Sequence, residues 1–310
     1  TTVISLSAVR ALRSCDGLDD SARKLLSFSD NRQDASLQAG HFNDFVQTGL
    51  VRAALYEAVK SAASDGLMHD ELPFRVFEAL NLPFRQYTGK DPDDVPRAVR
   101  QKIDSTFRGL LEYIVYCDQE RGWRVQSPNL EQCGLLKIEY LGLDEICADE
   151  RRWSGLHQIL ANAPPNTRET VCTTLLDYMR RAVSIDVGCF DPDEQKRIAS
   201  RSSQNLIDPW AIEPEGRMRR ASTTYPRARL HNDYPDCFTV SARSVFGRYL
   251  RRRTTFGSLQ ALDQADCLEI IRQLLGVLSA AGVLEAFPPE SRDPERVPGY
   301  RVKASAILWK

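Results

Sequence analysis

No stretch of this 310-residue sequence approaches the roughly 20 apolar residues that cross a bilayer. Its first residues also lack the basic region and apolar core of a secretory signal. Histidine is scarce: His41, His69, His157 and His231 are too dispersed for a ligand set and read as ordinary core or surface residues. Eight cysteines, at 15, 117, 133, 147, 172, 189, 237 and 267, include no C-x-x-C pair, which excludes the common zinc-knuckle spacings. Cysteines scattered on apolar faces read as buried thiols in a reducing compartment, so a cytoplasmic protein without a membrane partner or a bound metal is expected. There is no G-x-x-x-x-G-K-S/T phosphate loop, since Gly89-Lys90 is followed by Asp91 and position 84 is Phe. A G-x-S-x-G nucleophile elbow is missing as well. Net charge is nearly absent: 41 basic and 42 acidic residues leave -1, so only the local distribution can argue for a polyanionic partner.

What is present suits a soluble globular chain of about two domains. The sequence begins Thr1-Thr2 and stops in the strand pattern Ala306-Ile307-Leu308-Trp309-Lys310, whose edge would be left open, so a segment of a longer protein is expected. The spacing predicts a short helix over 5–15, a buried strand over 24–29 and a long helix from Arg32 to Ala63, kinked or closely packed near Gly40 or Gly49. Further helices are predicted over 70–81, 95–119, 150–162, 166–184 and 192–203, with a helix-start signal at Ser127-Pro128-Asn129. The Pro-rich stretch 186–238 is the least regular. Helices over 241–253 and 263–282, then strands over 283–287 and 300–307, close the chain.

Two helices followed by a hairpin match the element order of a winged helix. Charge concentrates there. Ten arginines (217, 219, 220, 227, 229, 243, 248, 251, 252 and 253) face two acids between Arg217 and Arg253, a local charge of +8. Arg248, Arg251 and Arg252 lie three and four residues apart and so share one face, while Phe246, Tyr249 and Leu250 point towards the other. Arg217, Arg219, Arg220, Arg243, Arg248, Arg251, Arg252 and Arg253 are thus candidate phosphate contacts. Two readings stand: a phosphate-binding surface, or a face paired internally with the acidic middle of the chain. Trp123, Trp153, Trp210 and Trp309 could stack on bases, but Trp210 reads first as an aromatic plug pinning an irregular loop onto the core.

At Leu25-Leu26-Ser27-Phe28-Ser29-Asp30-Asn31-Arg32-Gln33-Asp34 an apolar run meets a polar corner and then a helical pattern. This stretch resembles motif IV at the start of the second RecA-like lobe in large superfamily-two DNA helicases of the DEAD/DEAH-box type, the group with a cysteine-rich C-terminal domain. "NLEQCGLLKIEY" (129–140), "RIASRSSQNLIDPWAIEPEG" (197–216) and "GYRVKASAILW" (299–309) also look like that family.

The resemblance implies a mainly α fold: a helical insertion domain plus a winged-helix module, with one strand–helix piece of a RecA-like α/β lobe at the N-terminus. Residues 1–63 would open the lobe, 64–238 form the insertion and 239–310 the winged helix. It implies nucleic-acid contacts by Ser29, Asn31, Arg32 and Gln33, although Asp30 as a helix cap with local pairing of Arg32 and Asp34 fits the same corner. The implied partners are single-stranded, duplex or forked DNA and the remainder of the helicase chain. ATP and Mg belong to the full-length protein; this segment has no cofactor motif and is expected to be inactive alone. The alternative is a protein-interaction platform for a repair or phage-defence partner.

Overall fold

The structure, a computed structural model, describes residues 2–15, 17–19, 22, 32–120, 128–212, 216–228, 236–257, 262–289 and 296–310, without the side chains of 2–6, 32–44, 253 and 254. The chain is mainly α. Helix α1 (Thr2–Arg13) precedes α2 (Arg32–Ala62), which runs as one element through both glycines; a Cβ at Gly49 would meet open space. The predicted strand over 24–29 lies outside the described residues. Next come α3 (Leu72–Leu80), α4 (Phe84–Thr88) and α5 (Arg97–Cys117). α5 buries Ile103, Phe107, Leu110, Leu111 and Ile114, a stripe at helical spacing, against α2, α3 and a later helix, α10 (Pro192–Asn205).

The helix-start signal at 127–129 produces only one turn. Asn129 Oδ1 accepts from the Gln132 N–H while Gln132 Oε1 accepts from the Asn129 N–H, a reciprocal capping box, yet Gly134 at φ +70° ends the turn. Strand β1 (Ile138–Tyr140) and α6 (Leu143–Ala148) follow. The helix expected over 150–162 is two single turns, α7 (Glu150–Trp153) and α8 (Gln158–Ala161), because Gly155 adopts φ +84° between them. α9 (Pro165–Arg180) starts on a proline, whose missing N–H costs nothing at a first helical position.

The Pro-rich stretch holds strands that the sequence does not announce. β2 (Ile185–Asp186) precedes α10; β3 (Thr223–Tyr225) and β4 (Cys237–Thr239) follow it. The predicted helix over 241–253 is broken into α11 (Val245–Leu250) and α12 (Arg253–Phe256), and α13 (Gln264–Ala280) then leads into β5 (Leu284–Phe287) and β6 (Gly299–Lys303). β6 is the axis of a curled mixed sheet. β5 pairs with it antiparallel, β2 parallel and β3 antiparallel, and β4 adds to β3. Val302 therefore lies opposite both Leu284 and Ile185 and is fully buried.

The strand expected over 300–307 also divides. A 3-10 turn at Ala304–Ala306 redirects the chain into β7 (Ile307–Trp309), antiparallel to β1. Leu67 flanks the other side, exchanging backbone hydrogen bonds with Trp309 at 2.8 and 3.0 Å. The open edge expected here is thus a correction: the final strand is paired on both sides, with Trp309 buried against Tyr116. One continuous apolar core runs from Val51 to Trp309.

Candidate nucleic-acid interface

Four of the local arginines lie on or beside a short, firmly seated element. Phe246 and Leu250, one turn apart on α11, are each 1% exposed, and Phe246 stacks on Tyr178 of α9 with ring centroids 6.4 Å apart. Ser244 caps α11, its Oγ accepting from the Gly247 N–H at 3.0 Å. Gly247 lies directly on the Ser241–Ala242 backbone, where no Cβ would fit. With that face fixed inward, Arg243, Arg248, Arg251 and Arg252 are exposed.

Arg248 and Arg251 lie one turn apart, and the Arg251 N–H still donates to the Gly247 carbonyl. Arg251 is the last residue of the α11 turn and Arg252 is extended at ψ 132° before α12. Arg251 Nε donates to the Leu262 carbonyl at 3.3 Å. Among the described residues none of these four arginines has a carboxylate partner. The Arg253 side chain is outside the described set.

The remaining candidates divide. Arg217 and Arg220 are exposed. Arg219 instead grips Glu120 through Nε and Nη2 at 3.1 and 3.0 Å, and its N–H donates to Tyr113 Oη at 2.6 Å, fastening the irregular segment to the end of α5. At Arg219 the internal-pairing reading is the one realised. Arg227 is buried over the Tyr225 ring at 4.5 Å. Ser29 and Asn31 lie outside the described residues; Arg32 and Gln33 open α2, their side chains not described.

α13, the helix ahead of β5, presents little to a phosphate. Its buried face is Ile270, Ile271, Leu274, Leu275 and Leu278; outward stand Gln264, Glu269 and Arg272, and Arg272 Nε donates to the Pro226 carbonyl. Gln273 is committed to Glu269 and to the N–H of His157.

Two buried cations escaped the sequence reading. Arg168 (1% exposed) donates twice to Glu150, at 2.8 and 2.9 Å, and to three backbone carbonyls, with its guanidinium over Trp153. Arg180 (0% exposed) donates to Gln119, Glu131, Asp177 and Tyr140 Oη. The legible signal was their register: Arg168 precedes Cys172 by one turn and Arg180 follows Leu176 by one turn, placing both on the buried stripe of α9. Trp210, 2% exposed and edge-to-face on Phe107 at 4.8 Å, is a plug; Trp153 and Trp309 are buried too, and Trp123 is outside the described residues.

Of the eight free cysteines, five are buried, Cys237 is half-buried, and Cys15 and Cys133 are exposed. Among the described residues no three His, Cys, Asp or Glu side chains could hold a metal ion, and no helix is long and apolar enough to cross a membrane. No family model, curated protein or solved structure matches the chain.

Proposed function

We propose that this chain is a nucleic-acid-contacting segment of an ATP-dependent DNA helicase or translocase. It combines the opening of the second motor lobe, a helical insertion and a winged-helix module. The observation that carries the reading is the exposed set Arg243, Arg248, Arg251 and Arg252, unpaired with any carboxylate among the described residues on a rigidly seated turn. Free guanidinium groups on a fixed support suit phosphate oxygens. The order α11–α12, α13, β5, β6 supports the winged-helix part. With Glu269 outward on α13, the grip falls on the backbone through α11 and α12 rather than on base edges. The sequence holds no phosphate loop, and on this reading ATP and magnesium chemistry belongs to the rest of the motor.

Fluorescence anisotropy against single-stranded, duplex and forked DNA tests the reading. Binding that fails in an Arg248/Arg251/Arg252→Ala variant supports it. Intact DNA affinity in an Arg251/Arg252→Glu variant, with loss of a protein partner, returns the role to an interaction platform.

A further inference from the structure

An open cleft of about 310 Å³ lies between α3, α5 and α10. α5 makes its floor: Ser105, Arg108, Gly109 and Glu112 recur at helical spacing and share one face. Gly109 is what keeps the floor low, because a Cβ there would meet nothing within 4 Å. α3 contributes Phe74, 46% exposed, with the Arg108 guanidinium 5.9 Å from its ring centre. α10 contributes Glu194 and Arg201, seven residues and so about 10 Å apart along the helix axis.

Both signs of charge line this cleft without cancelling one another. Arg108 and Glu112 are four residues apart on α5, yet neither they nor Arg201 have an ion pair among the described residues; Glu194 alone has one, with Arg197. The Glu112 carboxyl and the Arg108 and Arg201 guanidinium groups, left without an ion pair in one concave site, are complementary to a molecule that also carries both charges. Phe74 and Ile198 supply apolar walls between the charged positions.

We propose that the cleft between α3, α5 and α10 binds a zwitterionic organic ligand of amino-acid to dipeptide size. Its ammonium meets Glu112 and Glu194, its carboxylate meets Arg201, and its stem lies over Gly109 against Phe74. The state of Glu112 agrees: burial first, then the Glu194 charge, pushes its carboxyl from 4.5 up to about 7. The other groups about it are Asp70 ahead of α3, Arg108 on α5, Arg201 on α10, and Tyr116 and Cys189 within electrostatic reach. An arriving ammonium replaces that proton, so binding strengthens between about pH 6 and pH 8.

The test is calorimetric titration of the whole chain with 6-aminohexanoate, beside hexylamine and hexanoate, which keep the stem and one charge each. 6-Aminohexanoate is expected to bind at least about tenfold more tightly than either control. Glu112→Gln should reduce it to the level of hexanoate, and Arg201→Gln to that of hexylamine. Gly109→Leu, which grows into open space and leaves the circular dichroism unchanged, should abolish all binding. Hexylamine equal to 6-aminohexanoate, hexanoate equal to it, or no heat from any probe at about 20 mM with folded protein overturns the proposal.

Discussion

Arg180 shows how much a single side chain does here. Its guanidinium joins the end of α5, the turn at 129–134, β1 and α9 through Gln119, Glu131, Tyr140 and Asp177. Truncating one member of a buried ionic network strands the others, so Arg180→Met should cost about 3–5 kcal/mol in urea denaturation at neutral pH. The pH dependence follows from Glu131. Burial raises its carboxyl, but hydrogen bonds and charge from Arg180 and Arg181 outweigh that and hold it below its usual 4.5. A depressed carboxyl contributes stability above its unfolded value and loses it as pH falls through the folded one, so the Arg180→Met penalty should shrink below about pH 4.

Glu112 has the opposite sign. Its folded carboxyl keeps a proton up to about 7, so folding is penalised from about pH 4.5 upward. Glu112→Gln should therefore raise stability at pH 8, by up to roughly 3 kcal/mol, and leave it unchanged at pH 4. Equal effects at both pH values would remove the burial argument.

Among the elements, α11 depends on close backbone approach. Gly247 rests on Ser241 and Ala242, and the Cys267 thiol donates to its carbonyl. Gly247→Ala should cost about 1–3 kcal/mol by overpacking, against the small gain an alanine brings to an open helix, as thermal unfolding will show. α13 offers a gain-of-function test. If its outward Glu269 weakens contact with a phosphate backbone, Glu269→Arg should tighten duplex binding severalfold at low salt, and an unchanged affinity would place α13 away from the DNA.

The same elements show what a sequence discloses. α5 and α13 were legible because their apolar residues recur at helical spacing and both are long. β2, β3 and β4 were not, since each has two or three residues and is defined by partners far along the chain. The arginine cluster was visible as charge, but its division was not: Arg219 pairs with Glu120, 99 residues away, and no local pattern encodes that contact.

Across the whole molecule the stretches 64–238 and 239–310 share their sheets. β1 pairs with β7, β2 and β3 pair with β6, and Leu67 bridges to Trp309. Tryptophan fluorescence and far-ultraviolet circular dichroism should therefore report one coincident transition, and a separate early transition would show that the hairpin end folds alone.

The central claim is that free arginines on a rigid turn hold a nucleic-acid backbone. Its most direct test is the salt dependence of duplex binding for the unaltered chain and the Arg248/Arg251/Arg252→Ala variant. Each phosphate contact releases condensed counterions, so the slope of log K against log salt should be shallower in the variant by about 0.9 per contact removed. A variant with an unchanged slope and affinity would contradict the claim and move the contact elsewhere on the chain.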